Sequence, residues 1–116
     1  MSTCLFCGIV AGTVPADIVL ETDRLIAFKD INPTAPVHVL VVPRRHIENA
    51  GELDMDDAED VAAMFVAARA VADAEAISSP ERGYRLVLNV GSDALNSVPH
   101  LHLHVIGGRA MSWPPG

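Results

Sequence analysis

The segment His100-Leu101-His102-Leu103-His104-Val105-Ile106 places three imidazoles at alternate positions. In an extended strand, alternate side chains share a face. His100, His102 and His104 then line one face, while Leu101, Leu103 and Val105 turn to a core. Same-face neighbours sit about 7 Å apart, too far for contact between imidazoles along one strand. Such a row suits an extended anionic ligand such as a nucleotide phosphate. A lone histidine is most simply a packed residue, but three on one face would crowd cations at low pH. Titratable groups arranged in this way mark functional sites. Spacing alone leaves two chemistries open. Neutral imidazole is abundant near neutral pH and can attack phosphorus as a nucleophile. Imidazoles can equally hold a catalytic zinc with an open coordination position.

Cys4 and Cys7 form the second constellation and are the only 2 cysteines. They are too close in sequence to staple the fold, which excludes a disulfide framework. They read as two buried small residues, as a redox pair, or as half of a structural zinc site. A thioredoxin-like pair would follow a strand, and no strand precedes Cys4. A zinc site needs two further ligands to close its tetrahedron.

These residues need a scaffold, and 116 residues fit a single domain over positions 1–116. Half the residues are apolar (50%) but only 4% are aromatic, so the core must be mostly Val, Leu, Ile and Ala. Residues 4–12 have the pattern of a short helix with Phe6, Ile9 and Val10 on one face and Gly12 at its end. Strands are expected over 18–21 and 25–30, joined in a hairpin at Thr22-Asp23-Arg24, then over 37–42, 84–90 and 100–106. Residues 56–77 carry one strong helical period, with Val61, Met64, Phe65, Ala68, Val71 and Ala72 in an apolar stripe and Asp54 as N-cap. Strands and helices do not alternate, so the fold class is α+β: a five-stranded, mainly antiparallel sheet with one long and one short helix.

Eight basic against fifteen acidic residues give a net charge of -7, which argues against nucleic acid or an anionic membrane as partner. Seven of the acids fall between Glu48 and Asp60, a run that reads as solvated surface. No apolar run approaches the ~18 residues of a membrane-spanning helix. The first cation is Arg24, so the N-terminus lacks the basic region of a secretory signal. A cytoplasmic protein is the expectation.

The chain resembles the histidine triad (HIT) superfamily of nucleotide hydrolases and transferases. The resemblance rests on His-x-His-x-His followed by two apolar residues. It extends through Phe28-Lys29-Asp30-Ile31-Asn32-Pro33, His38-Val39-Leu40-Val41-Val42-Pro43-Arg44-Arg45-His46-Ile47, Gly83-Tyr84-Arg85-Leu86-Val87-Leu88-Asn89-Val90-Gly91 and Ser97-Val98-Pro99-His100. The end, from Gly107-Gly108-Arg109 to Trp113-Pro114-Pro115-Gly116, looks like the Hint branch, the purine nucleoside phosphoramidases. The third triad position is His, where the transferase branch typically has Gln.

The resemblance implies that His102 is the nucleophile, attacking the phosphorus of an adenosine 5'-phosphoramidate to give a nucleotidyl-histidine that water hydrolyses to AMP. It implies that the carbonyl of His100 holds the proton-bearing nitrogen of His102, and that His104 donates to a phosphate oxygen. Ser97 and Asn89 match polar groups around the phosphate and leaving group. Asp30 matches the ribose-binding acid. Phe28 shares a strand face with Asp30, and an apolar wall beside a carboxylate suits a nucleoside. Phe6, Ile9 and Ile31 match other parts of the base pocket. For the cysteines, the resemblance implies a structural zinc on Cys4, Cys7, His46 and His100. It also implies a homodimer, with Trp113 reaching toward the partner's site on the amine side. His38 shares its face with Leu40 and Val42, which points to packing or indirect support. A dinucleoside polyphosphate hydrolase, or a nucleotide-binding regulatory module without turnover, remains an alternative.

Overall fold

A computed structural model describes residues 4–116, so the first three positions of the domain expected over 1–116 lie outside the described residues. Helix α1 (Leu5–Ala11) starts where the Cys4 side chain accepts the Cys7 N–H at 3.3 Å. It stops at Gly12, whose φ of 80° is a left-handed conformation that favours glycine. The sheet comprises β1 (Ile18–Glu21), β2 (Leu25–Lys29), β3 (Val37–Pro43), β4 (Tyr84–Val87) and β5 (Leu103–Gly107). Their order is β1-β2-β3-β5-β4, and every neighbouring pair is antiparallel. The long helix α2 (Ala58–Ala74) lies between β3 and β4 in the chain. The expected α+β class, with five strands and two helices, is therefore the observed one.

Strand β3 is central and covered on both faces, which is why it reads as a nearly unbroken apolar run. On one face Ala27, Val39, Val41, Leu103 and Val105 pack against Met64, Ala68, Val71 and Ala72 of α2. On the other, Ile26, Phe28, Leu40 and Val42 pack against Phe6 and Ile9 of α1. Leu101, Leu103 and Val105 are buried, as the alternation of the histidine segment requires.

Several boundaries differ from expectation. Strand β5 begins at Leu103, not His100, because the Leu101 N–H donates to the Ile47 carbonyl at 2.6 Å and leaves the ladder. Strand β4 ends at Val87, opposite His104, and β2 ends at Lys29. Asp54 caps a 3-10 turn, Met55–Asp57, in a reciprocal box with Asp57, and α2 follows that turn. The helix ends at Ala74, and Ile77 packs into the core beyond it. In the α2 stripe, Ala67 is buried and Phe65 is 44% exposed. One residue is a 100° step round a helix, so Phe65 falls off the edge of the stripe that Met64 centres.

The acidic run is more than solvated surface. Asp57 is buried and paired with Arg45, Asp60 accepts from Arg45 at 3.0 Å and from Arg24 at 2.9 Å, and Glu59 pairs with Arg24. These contacts moor the start of α2 to the chain flanking β2 and β3. The Asp54 N–H and then the Arg45 guanidinium hold the Asp57 carboxyl below its ordinary range.

The β4–β5 edge is packed so closely at Gly107 that a Cβ there would meet Ile77 Cδ1 at 2.7 Å and the Gly83 carbonyl at 3.2 Å. Gly107→Ala should therefore cost about 1–3 kcal/mol of stability, the usual size of overpacking. A urea midpoint equal to wild type would show that the edge yields instead.

Candidate functional site

A cavity of about 470 Å³ opens on the α1 face of the sheet. Phe28 and Leu40, from β2 and β3, form its floor, and Phe6 and Ile9 of α1 form one wall. The Phe6 and Phe28 rings meet edge-on, centroids 5.3 Å apart, so the apolar end is rigid and aromatic. Asp30 and Ile31 stand at the rim just past β2. Asn89, Ser97, His102 and His104 form the polar end. Nine residues singled out in the sequence thus converge on one cavity: Phe6, Ile9, Phe28, Asp30, Ile31, Asn89, Ser97, His102 and His104.

The row of three histidines divides. His102 and His104 line the cavity, whereas His100 is fully buried beside the cysteines. The rings of His102 and His104 lean together, with centroids 5.0 Å apart, closer than the spacing of a regular strand implies. Trp113 lies outside the cavity of its own chain, 80% exposed, with the Arg85 guanidinium 5.9 Å over its ring.

Fixed polar groups set the tautomers of His38, His100, His102 and His104. A carbonyl only accepts, so the nitrogen facing it must carry a proton. His102 Nδ1 donates to the His100 carbonyl at 2.7 Å, which leaves a lone pair on Nε2 when the ring is neutral. His100 Nε2 donates to the Pro43 carbonyl at 2.8 Å, which leaves its Nδ1 bare. His38 Nδ1 accepts the Thr34 N–H at 3.1 Å, so the proton of neutral His38 sits on Nε2. That nitrogen lies 2.9 Å from His104 Nδ1 and 3.3 Å from the Asp30 carboxylate. His104 Nδ1 therefore accepts, and its own proton sits on Nε2. Burial, then the neighbouring His102 and His38, pull His104 down to about 4, so it is a neutral donor at pH 7. Burial lowers His100 as well, with His46 and His102 adding to it.

His38 is thus part of the site, in contact with two of its polar groups, and not merely packing. A lone polar residue inside the apolar run of β3 was the available signal. Asp30 is already engaged: besides His38, it accepts the Asn32 N–H at 2.8 Å. Asn89 donates to the Ala94 carbonyl at 2.7 Å and so ties down the loop that leads to Ser97.

Cys4, Cys7, His46 and His100 bring four ligand atoms within 4.8 Å of one another. Cys4 Sγ and Cys7 Sγ each lie 3.4 Å from His100 Nδ1, and Cys7 Sγ and His100 Nδ1 each lie 3.2 Å from His46 Nδ1. With Zn–S near 2.3 Å and Zn–N near 2.0–2.1 Å, the nitrogen–nitrogen and nitrogen–sulfur edges of a tetrahedral site come to about 3.3–3.6 Å. The spacing and the soft donor set fit such an ion. The bond from His100 to Pro43 supplies the outer-shell contact that orients a metal-binding imidazole. A second cluster, Asp30, His38 and His104, reads differently. Its 2.9 Å nitrogen–nitrogen distance is that of a hydrogen bond.

Histidines held in fixed tautomers at the end of an aromatic cleft, on a five-stranded antiparallel sheet, define a histidine triad site. The chain belongs to the HIT domain family, whose family model matches residues 11–111. It is similar to a HIT family hydrolase from Legionella pneumophila Philadelphia 1 whose structure is solved, at 46% identity and a TM-score of 0.94, covering 98% of this chain and 100% of that one. A HIT family hydrolase from Clostridium thermocellum is 43% identical with a TM-score of 0.91, covering 97% and 96% of the two chains. An uncharacterized HIT-like protein of Synechococcus elongatus is 39% identical over 112 residues, 97% of this chain and 96% of that one. This chain is accordingly a hydrolase-like protein of the HIT family. Among the described residues, no helix is long and apolar enough to cross a membrane.

Proposed function

We propose that the protein, acting as a single domain, hydrolyses purine nucleoside 5'-phosphoramidates to the nucleoside monophosphate and an amine, in the manner of the Hint branch. The observation that carries this reading is the 2.7 Å bond from His102 Nδ1 to the His100 carbonyl, which leaves Nε2 as a nucleophile on the cavity wall. The base would lie between Phe6, Ile9 and Phe28, beside Ile31, and Asp30 would accept from the ribose hydroxyls. His102 Nε2 would form a bond to phosphorus as the phosphorus–amine bond breaks, the departing amine taking a proton from solvent that the water of the second step returns. The His100 carbonyl stabilises the imidazolium that results. Water then displaces the histidine and releases the monophosphate. Ser97 and the Nε2–H of His104 would hold phosphate oxygens, and Asn89 would fix the loop beside them. His100 acts through its carbonyl.

His102→Ala should abolish nearly all turnover of an adenosine phosphoramidate while AMP still binds. Turnover near wild type would exclude the histidine nucleophile. AMP binding with no turnover in the wild type would favour a regulatory module, and cleavage of dinucleoside polyphosphates alone would name the other alternative.

We further infer a structural zinc on Cys4, Cys7, His46 and His100. The ion would tie the start of α1 to β3 and the approach to β5, and its binding energy would be folding energy. A cytoplasmic setting keeps such thiols reduced. Protein purified without chelator should carry about one zinc per chain, and chelation should lower the unfolding temperature. Metal content below about 0.1 equivalents would count against the site.

We also infer a homodimer. Strand β4 is a sheet edge with Leu86 exposed, and α2 exposes Phe65 and Val66. Two-fold pairing would cover these surfaces and place Trp113 near the partner's amine side. Sedimentation at micromolar concentration should give twice the chain mass, and a monomer there would remove this inference.

A further inference from the structure

His38 Nε2 carries one proton and faces two acceptors. Thr34 N–H donates to His38 Nδ1 at 3.1 Å, so that nitrogen is bare and the ring is neutral. The single proton on Nε2 then lies between His104 Nδ1 at 2.9 Å and the Asp30 carboxylate at 3.3 Å. Asp30 and His104 both line the cavity, one at its rim and the other at its polar end, whereas His38 is buried and joins the two. One proton cannot serve both acceptors fully.

A carboxylate has about four acceptor positions. In Asp30 the Asn32 N–H takes one at 2.8 Å, and His38 takes another at the longer distance. Two ribose hydroxyls would fill the rest and draw off much of the negative charge that attracts the His38 proton. Of the two bonds already present, that from His38 is the weaker, because 3.3 Å is long for a nitrogen–oxygen hydrogen bond. It gives way first, and the proton turns to His104 Nδ1. Hydrogen bonds in a chain polarise one another, so an imidazole that accepts more strongly at Nδ1 donates more strongly at Nε2. In His104 that is the hydrogen that would meet the phosphate, where stronger donation stabilises the charge that develops during displacement.

We propose that His38 is a positioning residue through which the ribose hydroxyls tighten the grip of His104 on the phosphate. The proton stays on His38 throughout, and only its direction changes. Ribonucleotides are then selected in the rate of the chemical step as well as in binding. The coupling rests on the placement of ribose at Asp30 and phosphate at His104 proposed above.

The first test needs no turnover. In wild type with isotope-labelled histidine, the nitrogen NMR signal of His104 Nδ1 should move toward that of a more strongly bonded acceptor on saturation with adenosine. With 2',3'-dideoxyadenosine it should hold its place. An unmoved signal with adenosine bound, or an equal shift with both nucleosides, would overturn the proposal. If adenosine does not bind, the nucleotide reading fails and takes this one with it. The second test compares single-turnover rates of the two nucleosides' 5'-phosphoramidates in wild type and His38→Gln. Glutamine offers two amide protons where histidine offers one, so it can serve Asp30 and His104 together and the competition ends. In wild type, removing the hydroxyls should slow the step at saturating substrate about two- to fivefold, part of the worth of one hydrogen bond. In His38→Gln that difference should vanish while the weaker binding of the dideoxy substrate remains. A rate difference of wild-type size in the variant would overturn the proposal, and if the variant does not fold, the NMR result decides. If the wild type cleaves neither compound while the signal moves with adenosine alone, the phosphoramidase reading fails and the coupling stands. If it cleaves both and the signal stays fixed, only the coupling fails.

Discussion

The position of His100 governs the whole functional face. Its carbonyl holds the proton of His102, its Nε2 donates to Pro43 at the end of β3, and its Nδ1 faces Cys4, Cys7 and His46. One fully buried residue therefore joins the sheet centre, the metal-type cluster and the proposed nucleophile. A buried polar group left without a partner costs about 1–3 kcal/mol. His100 has a partner at each ring nitrogen and at its carbonyl, so its ring cannot rotate without losing several of these contacts at once. The orientation of His102 inherits that rigidity.

The same contacts explain why α1 is placed where it is. Cys4 caps α1 and also lies beside His100, while Phe6 packs on Phe28, His100 and His102. A helix of seven residues is too short to be stable alone in water. Its cap, its buried face and its cysteines must hold it to the sheet, and the cavity wall comes with them. The cluster at the cysteines is thus structural in position, and the proposed chemistry lies on the other side of His100.

Much of this was legible in the chain. Alternation placed Leu101, Leu103 and Val105 in the core, the unbroken run of β3 signalled a central strand, and the three-and-four spacing located α2. What escaped depends on contacts made across the sheet. That His100 turns to the cysteines while His102 and His104 stay in the cavity follows from the Leu101 N–H bonding to Ile47 instead of continuing the ladder, and no local pattern encodes that bond. The link from Thr34 through His38 to His104 spans 70 positions from end to end and exists only once β3 and β5 pair at Leu40 and His104. The acidic run misled because charge runs are usually solvated, and only the fold brings Arg24 and Arg45 beside Asp57 and Asp60.

If the cavity takes a phosphate, as proposed, an acidic chain needs donors there that do not depend on excess positive charge. His104 is such a donor, because burial keeps it neutral at pH 7 while Thr34 and His38 direct its proton to Nε2. Hydrogen bonds from neutral donors are about half as strong as charge-assisted ones. The monophosphate product would then be gripped less tightly than by a cluster of arginines. The developing imidazolium of His102 would supply positive charge only as it bonds to phosphorus. Attraction concentrated at that stage stabilises the transition state more than either ground state, and such differential binding is the source of catalysis. The aromatic end and Asp30 can then supply substrate affinity without opposing the chemistry at the other end of the cavity.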